Sequence, residues 1–428
     1  MQRERIGRGA GRGGWRLLGV LLLLAAAAPI VHRYLVGYPD DQWQVDLEVY
    51  REAGRSLLIG RPVYLFETEV PQLLPFTYPT FSAVLAIPLA LVPFGVAGWL
   101  WTAFQLALLW CTVGLAFRPL LQRAGARAGL AQGAVAAACV WISPVGESIR
   151  FGQVNAVLVA LCLLDVVRGR DGIRVAGRRV RWPRGALVGI AVAIKLTPGV
   201  FLVHFAITRQ WRELRNAVVA AVAVTLGTFL VAPEASAEYW TSALLSSDRL
   251  GPNAGSSNQS LRGFVLRLYL SDGLTQALWL VLAVTAAVLG YRVAREVHRR
   301  GSLVGEVAAC GMVAILVSPV SWLHHVYWGV LVLAAVVGDG RDRRRVVVAA
   351  VQLAVLWVAW PWVGANLLTS PSVPTVVARF VQNGDLWWSI AALVVLHRVV
   401  PARPGSPDQP IGGLDGAATH RSSITARD

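Results

Sequence analysis

The chain has 428 residues, 55% of them hydrophobic and 15% charged, against roughly 25% charge in a soluble globular domain, and this excludes a soluble fold. Its 40 basic and 24 acidic residues give a net charge of +16. The arginines gather in short links between apolar runs, a positive-inside pattern that argues for a polytopic membrane protein and against nucleic-acid binding.

In chain order, a basic head (residues 1–16) precedes the first apolar run, 17–36, which reads as an uncleaved anchor with its head in the cytoplasm. The next segment, 37–80, holds three arginines (Arg51, Arg55, Arg61) against seven acids (Asp40, Asp41, Asp46, Glu48, Glu52, Glu67, Glu69). Such a loop is expected on the outer face. Further apolar runs occupy 80–117, 129–143, 153–167, 185–207, 216–233, 273–292, 303–318, 326–338, 346–365 and 386–400, separated by arginine-rich links at 118–127, 168–184, 209–215, 292–300 and 341–345. Several runs are shorter than the roughly 20 residues of a straight span. Short and broken helices surround cavities, because loose backbone at membrane depth must be satisfied by protein or water.

Two runs need special treatment. Residues 80–117 are too long for one span and are expected to hold a crossing plus an interfacial helix. Residues 185–207 lie between two basic links and must therefore leave and return, turning at Leu196-Thr197-Pro198-Gly199. The fold expected is an all-α polytopic membrane domain over 17–400, with about twelve transmembrane or half-membrane helices. The tail, 401–428, is rich in Pro, Gly, Ser and Asp and is expected to be disordered and cytoplasmic. Cys111, Cys139, Cys162 and Cys310 all sit in apolar runs, so neither a disulfide frame nor a thiolate metal cluster is indicated.

The charge rule collects six polar clusters on one face: Asp46 to Tyr50; Pro75 to Pro79; Glu147 to Asn155; Lys195 to Pro198; Asn258 to Gly263; and Ser318 to His325. Polar groups converging at one membrane depth mark one site. Lys195 is the chain's only lysine; a compact ammonium inside an apolar run suits a buried anion. Asp40 and Asp41 belong to a Tyr-Pro-Asp-Asp turn leading into the helix that carries Asp46. Adjacent imidazoles diverge, so His324 and His325 suit hydrogen bonding to a phosphate better than a metal.

Taken together, Asp46-Leu47-Glu48-Val49-Tyr50, Gly60-Arg61-Pro62-Val63-Tyr64, Pro75-Phe76-Thr77-Tyr78-Pro79, Gly152-Gln153-Val154-Asn155, Lys195-Leu196-Thr197-Pro198, Asn258-Gln259-Ser260-Leu261-Arg262-Gly263 and Ser318 to His325 resemble glycosyltransferase family 87. These are polyprenol-phosphate-mannose-dependent α-mannosyltransferases of the C-type membrane fold. The resemblance covers about 40–330, and departs from the family where Ser257 replaces a common glycine.

It implies inverting transfer of mannose from a polyprenyl phosphate to an outer-face glycolipid or lipoglycan hydroxyl, forming an α, expectedly 1,2, linkage. The setting implied is a bacterial plasma membrane with the active site outside. Asp46, at the position of the family's catalytic aspartate in the first outer loop, would be the general base. Lys195, His324, His325 and Arg262 are available to stabilise the leaving phosphate. Tyr50, Tyr78, Gln153, Asn155, Asn258, Gln259 and Trp322 are expected at the donor or acceptor sugar. No cofactor or metal is expected, since a sugar on a phosphomonoester does not need the cation that nucleotide diphosphates recruit. A polyprenyl-phosphate-arabinose donor is the alternative within this chemistry. A secondary transporter is the alternative outside it, but the acidic first loop has no counterpart in a second half.

Overall fold

The computed structural model describes residues 2–37, 43–168, 172–175, 178–246 and 253–402. Asp40, Asp41 and the tail beyond 402 lie outside the described residues. The chain is mostly helical; among the described residues the regular strands are Ile173–Val175 and Arg178–Val180, an antiparallel ribbon inside an arginine-rich link.

Helix α1 (Gln2–Leu35) contains Pro29 and packs along Ala128–Val140. Glycine makes this possible. A Cβ on Gly133 would run into the backbone of Gly19, and one on Gly129 would meet the backbone of Arg16 at 2.6 Å. Small residues let helix backbones approach where lipid offers no hydrophobic driving force. Helix α2 (Val45–Leu58) lies along α3 (Thr80–Ala90), with Gly54 against the carbonyl of Ala86. The 80–117 run breaks at 91–93. Pro93 then caps α4 (Phe94–Ala116), which at 23 residues is long enough to cross a membrane, as the 11-residue α3 is not.

Four helices are long and apolar enough to span: Gly13–Leu35, Phe94–Ala116, Trp211–Val231 and Asp272–Arg299. Two bent pairs raise this to six if each counts as one span. The expected figure of about twelve counted crossings and half-crossings together, and two of the four shorter apolar helices, Leu303–Val317 and Leu323–Val337, are interior. Leu303–Val317 is buried on all sides, which is why its sequence has no polar face.

The run 185–207 folds as a re-entrant pair. Ala186–Ile194 stops at Lys195, a 3₁₀ turn covers Thr197–Gly199, and Val200–Ile207 goes back. Both ends sit among arginine-rich links: the Asn216 amide donates to Arg184 O at 2.9 Å, and the Gln210 amide donates to Glu306 Oε1 at 3.0 Å. Gly185 abuts Glu213 and Gly189 abuts Ala217, so this helix runs parallel to Trp211–Val231 with a constant offset. The same offset puts Lys195 about half-way along that span.

The links themselves meet. Buried Glu306 lies 2.9 Å from His204 and 3.0 Å from His298, and Arg300 donates to the carbonyls of His397 and Val400. The bundle therefore has an arginine-rich end and, opposite it, an end built from the polar clusters.

Candidate active site

Asp46 is the second residue of α2, near the helix N-terminus, where the backbone dipole favours a carboxylate. Its position is set by Gln44, in the left-handed region at φ 50°, whose buried amide donates to Thr102 Oγ1 at 2.7 Å and whose N–H donates to Arg150 O at 2.9 Å. Next to it, Leu47 packs on Gly152, where φ 68° and a prospective Cβ only 2.6 Å from Leu47 both call for glycine. That close approach brings Gln153 to Asp46. Arg51 and Arg55 of α2 and Arg61 just beyond it all pair with Glu52, at 3.0, 3.7 and 3.3 Å.

A hydrogen-bonded line runs from the lysine to the carboxylate. Lys195 Nζ donates to the Tyr78 hydroxyl at 3.3 Å and lies 4.9 Å from that ring's centre. The hydroxyls of Tyr78 and Tyr50 are 3.0 Å apart, and Tyr50 donates to Gln153 Oε1 at 3.1 Å. This leaves the Gln153 amide nitrogen to donate to Asp46. Lys195, Tyr78, Tyr50, Gln153 and Asp46 are thus joined in one network in which each bond polarises the next. Burial pushes the Asp46 carboxyl up to about 6, against the opposing pull of the Gln153 bond and the Lys195 charge.

On the far side of Lys195 stands His325. Its Nδ1 accepts the backbone N–H of Trp322 at 3.0 Å, and its Nε2 lies 2.8 Å from Lys195 Nζ. A backbone N–H can only donate, so the neutral ring carries its hydrogen on Nε2. Two N–H groups then converge, and an anionic oxygen placed against the pair would accept from both. Lys195 and His325 line a cavity of about 470 Å³ together with Tyr78 and Trp322 and with the apolar Val200, Ala314, Val317 and Leu244. A charged head with an apolar continuation is the shape of an amphiphile.

The structure brings together Asp46, Tyr50, Tyr78, Gln153, Lys195, Trp322 and His325. It does not bring in all the expected residues. The His324 ring is 3% exposed and sits behind His325, with Phe151 at 5.6 Å; neither ring nitrogen has a partner among the described residues. Asn155 donates to His324 O at 3.0 Å and so fixes this turn from beneath. Arg262 points elsewhere, its guanidinium 5.4 Å from the Trp279 ring.

Asn258 and Gln259, expected at a sugar, are fully buried with every side-chain polar group used internally. Asn258 Oδ1 accepts from Ser260 and Ser321 N–H, and its amide donates to Asn253 and Pro319 carbonyls. Gln259 donates to Ser256 and Gln382 carbonyls and accepts from Leu386 N–H. Their place is the frame that holds Trp322 and His325, through the Asn258–Trp322 bridge.

Arg267, which sequence reasoning passed over, belongs to the same frame. It is 2% exposed and donates to the carbonyls of Gly255 and Asn258 at 2.7 and 2.8 Å; burial pushes it down to about 10. An arginine just past the Asn-Gln-Ser segment, on the face otherwise poor in arginine, was the available signal.

Comparison with known proteins gives the chain's relatives. Residues 76–319 match the model of glycosyltransferase family 87. The chain is 33% identical over 414 residues to a polyprenol-phosphate-mannose-dependent alpha-(1-2)-phosphatidylinositol mannoside mannosyltransferase of Mycobacterium tuberculosis, covering 91% of this chain and 93% of the relative. It is 32% identical over 437 residues to the protein of the same description from Mycolicibacterium smegmatis, covering 95% and 96%. A polyprenol-phosphate-mannose-dependent alpha-(1-2)-phosphatidylinositol pentamannoside mannosyltransferase of M. smegmatis is 29% identical over 401 residues, covering 91% and 93%. No solved structure matches. Asp46 lies before the family-model match and His325 after it, so their part rests on geometry.

Proposed function

Since the chain belongs to glycosyltransferase family 87, we propose that it transfers mannose from polyprenyl-phosphate-mannose to a hydroxyl of a phosphatidylinositol-mannoside-type glycolipid, with inversion, forming an α-(1→2) mannoside. The observation that carries the reading is the converging pair of donors, Lys195 and His325, on a cavity also lined by Val200, Ala314, Val317 and Leu244. The phosphate of the donor sits against the two donor groups, and its chain starts along Val200, Val317 and Leu244. Asp46 removes the proton of the acceptor hydroxyl as its oxygen attacks the anomeric carbon. The sugar–phosphate bond breaks, and the charge that grows on the phosphate meets Lys195 and His325. Tyr50, Tyr78 and Trp322 border the sugar. The re-entrant turn at Lys195 and the catalytic first loop are in keeping with a C-type arrangement.

Purified protein given a phosphatidylinositol mannoside and each donor in turn tests this. Polyprenyl-phosphate-mannose is expected to be consumed and polyprenyl-phosphate-arabinose left; the opposite result would make the enzyme an arabinosyltransferase. We further propose that no metal takes part, so turnover should survive exhaustive chelation. Loss with EDTA that a divalent ion restores would bring Asp40 and Asp41 in as ligands.

The site is assigned to the outer face of a bacterial plasma membrane, on the charge asymmetry of the links. Cysteine at exposed Ala254 should react with a membrane-impermeant thiol reagent in intact cells, and cysteine at Arg341 should not. The reverse labelling would place the site inside.

A further inference from the structure

Two helix pairs bend at one place, beside Pro29 of the continuous helix α1. Gly125–Val140 and Ser143–Phe151 meet at a 77° bend, and Arg343–Leu356 and Trp360–Leu367 at a 48° bend. Helix packing alone does not require two breaks at one level. Broken helices at membrane depth are tolerated where they border a cavity, and these enclose one of about 320 Å³. Indoles satisfy part of the freed backbone: Trp357 Nε1 donates to Ala138 O at 3.1 Å and Trp360 Nε1 to Val355 O at 2.9 Å.

The wall of this pocket has a definite chemistry. Trp141 and Trp357, 48% and 51% exposed, supply broad aromatic surfaces. Glu147 supplies a buried carboxylate whose oxygens hold Trp362 Nε1 at 3.2 Å and Arg150 at 3.3 Å, leaving further lone pairs. The Ser143 hydroxyl is buried without a partner among the described residues. Exposed Arg33 stands at the rim on the last turn of α1. Flat aromatic faces, a carboxylate and a free hydroxyl suit the C–H face and the hydroxyls of a hexose, and a rim arginine suits the phosphodiester of an anionic lipid anchor.

We propose that this pocket is a second, non-catalytic subsite that holds a hexose ring of the acceptor glycolipid's headgroup, with Arg33 toward its lipid phosphate; the proposal rests on the glycolipid-acceptor reading above. Its volume suits one ring, not a whole headgroup. Its location suits the reaction. Ser143–Phe151 carries Glu147 at its middle and ends four residues, roughly 6 Å of helical rise, further on, where the chain turns through Gly152 and brings Gln153 to Asp46. That is within reach of an oligosaccharide whose terminal hydroxyl faces Asp46. The same helix accepts the Gln44 N–H that sets the start of α2.

The test compares two acceptors on purified full-length enzyme with polyprenyl-phosphate-mannose as donor: a phosphatidylinositol mannoside and octyl α-mannoside, which has no headgroup beyond one sugar. The readout is the ratio of KM for the glycolipid to KM for the alkyl mannoside. Trp357→Ala should raise that ratio about tenfold or more, and Glu147→Gln should do the same. Because Glu147 also holds Arg150, Trp357→Ala decides. If its ratio equals that of the wild type, either because neither KM moves or because both rise together, the subsite is wrong. A wild-type enzyme that uses neither acceptor would instead overturn the functional reading on which the subsite depends.

Discussion

Asp46→Asn should lower kcat by roughly 10²-fold or more and leave donor affinity nearly unchanged. A general base acts on the acceptor proton in the transition state, so its loss is felt in turnover and not in ground-state binding of the donor. Proton removal also needs the ionised form. With the carboxyl pushed up to about 6, kcat/KM for the acceptor should rise with pH through that value and level off above it. The Gln153 bond lowers the pKa, so Gln153→Leu should move the same limb to higher pH.

Stability gives an independent check on the sign. A carboxyl raised from 3.8 to about 6 by burial favours the folded state most below its unfolded pKa, and that contribution is lost as pH rises through about 6. The Tm of Asp46→Asn relative to wild type should therefore increase from pH 4 to pH 8. A substitution that costs activity while gaining stability is the mark of a strained functional group. An equal Tm difference at both pH values would mean that the carboxyl is not desolvated in the folded protein.

The convergence of the site was legible because the polar clusters all fall on the face opposite the arginine-rich links, and one of them holds the chain's only lysine. The lone lysine and the broken Leu-Thr-Pro-Gly segment pointed to a re-entrant turn, and the glycines at 185 and 189 fit it to its neighbour. What could not be read was which amides serve the ligand and which serve the frame. Gln153 and Gln259 are alike in sequence, but Gln259 is consumed by backbone groups of Ser256, Gln382 and Leu386, distant or irregular partners that no local spacing announces. Likewise Pro88 and Pro93 are both helix-breaking signals in the 80–117 run. Pro88 is carried inside α3, and the chain turns at Pro93, because the position of the turn is decided by packing of α3 on α2. The number of full spans could not be read for a related reason. An apolar run records burial, and burial in protein and burial in lipid look the same in a sequence.

Lys195→Met and His325→Ala should each weaken donor binding as well as turnover, by roughly ten- to a hundred-fold in affinity. The donor's phosphate is charged before the reaction starts, so a group that holds it contributes in the ground state. Removing one charge-assisted hydrogen bond in a desolvated pocket costs on the order of 1.5–3 kcal/mol. His324→Ala separates the two adjacent histidines: its ring lies behind His325 and off the cavity wall, so its effect on donor affinity should be the smaller of the two. Donor affinities measured for Asp46→Asn, Lys195→Met and His325→Ala on one preparation decide the assignment. If Asp46→Asn loses donor binding while Lys195→Met keeps it, the roles are reversed: Asp46 then organises the first loop through Gln153, and the phosphate is held by other groups. The hydrogen-bonded line between them makes the comparison sharp, since Lys195, Tyr78, Tyr50, Gln153 and Asp46 are one connected unit. A merely structural role for that unit would degrade both quantities together in all three variants. Only a division of labour, with the base at one end and the phosphate clamp at the other, gives a loss in kcat alone at Asp46 and a loss in affinity at Lys195.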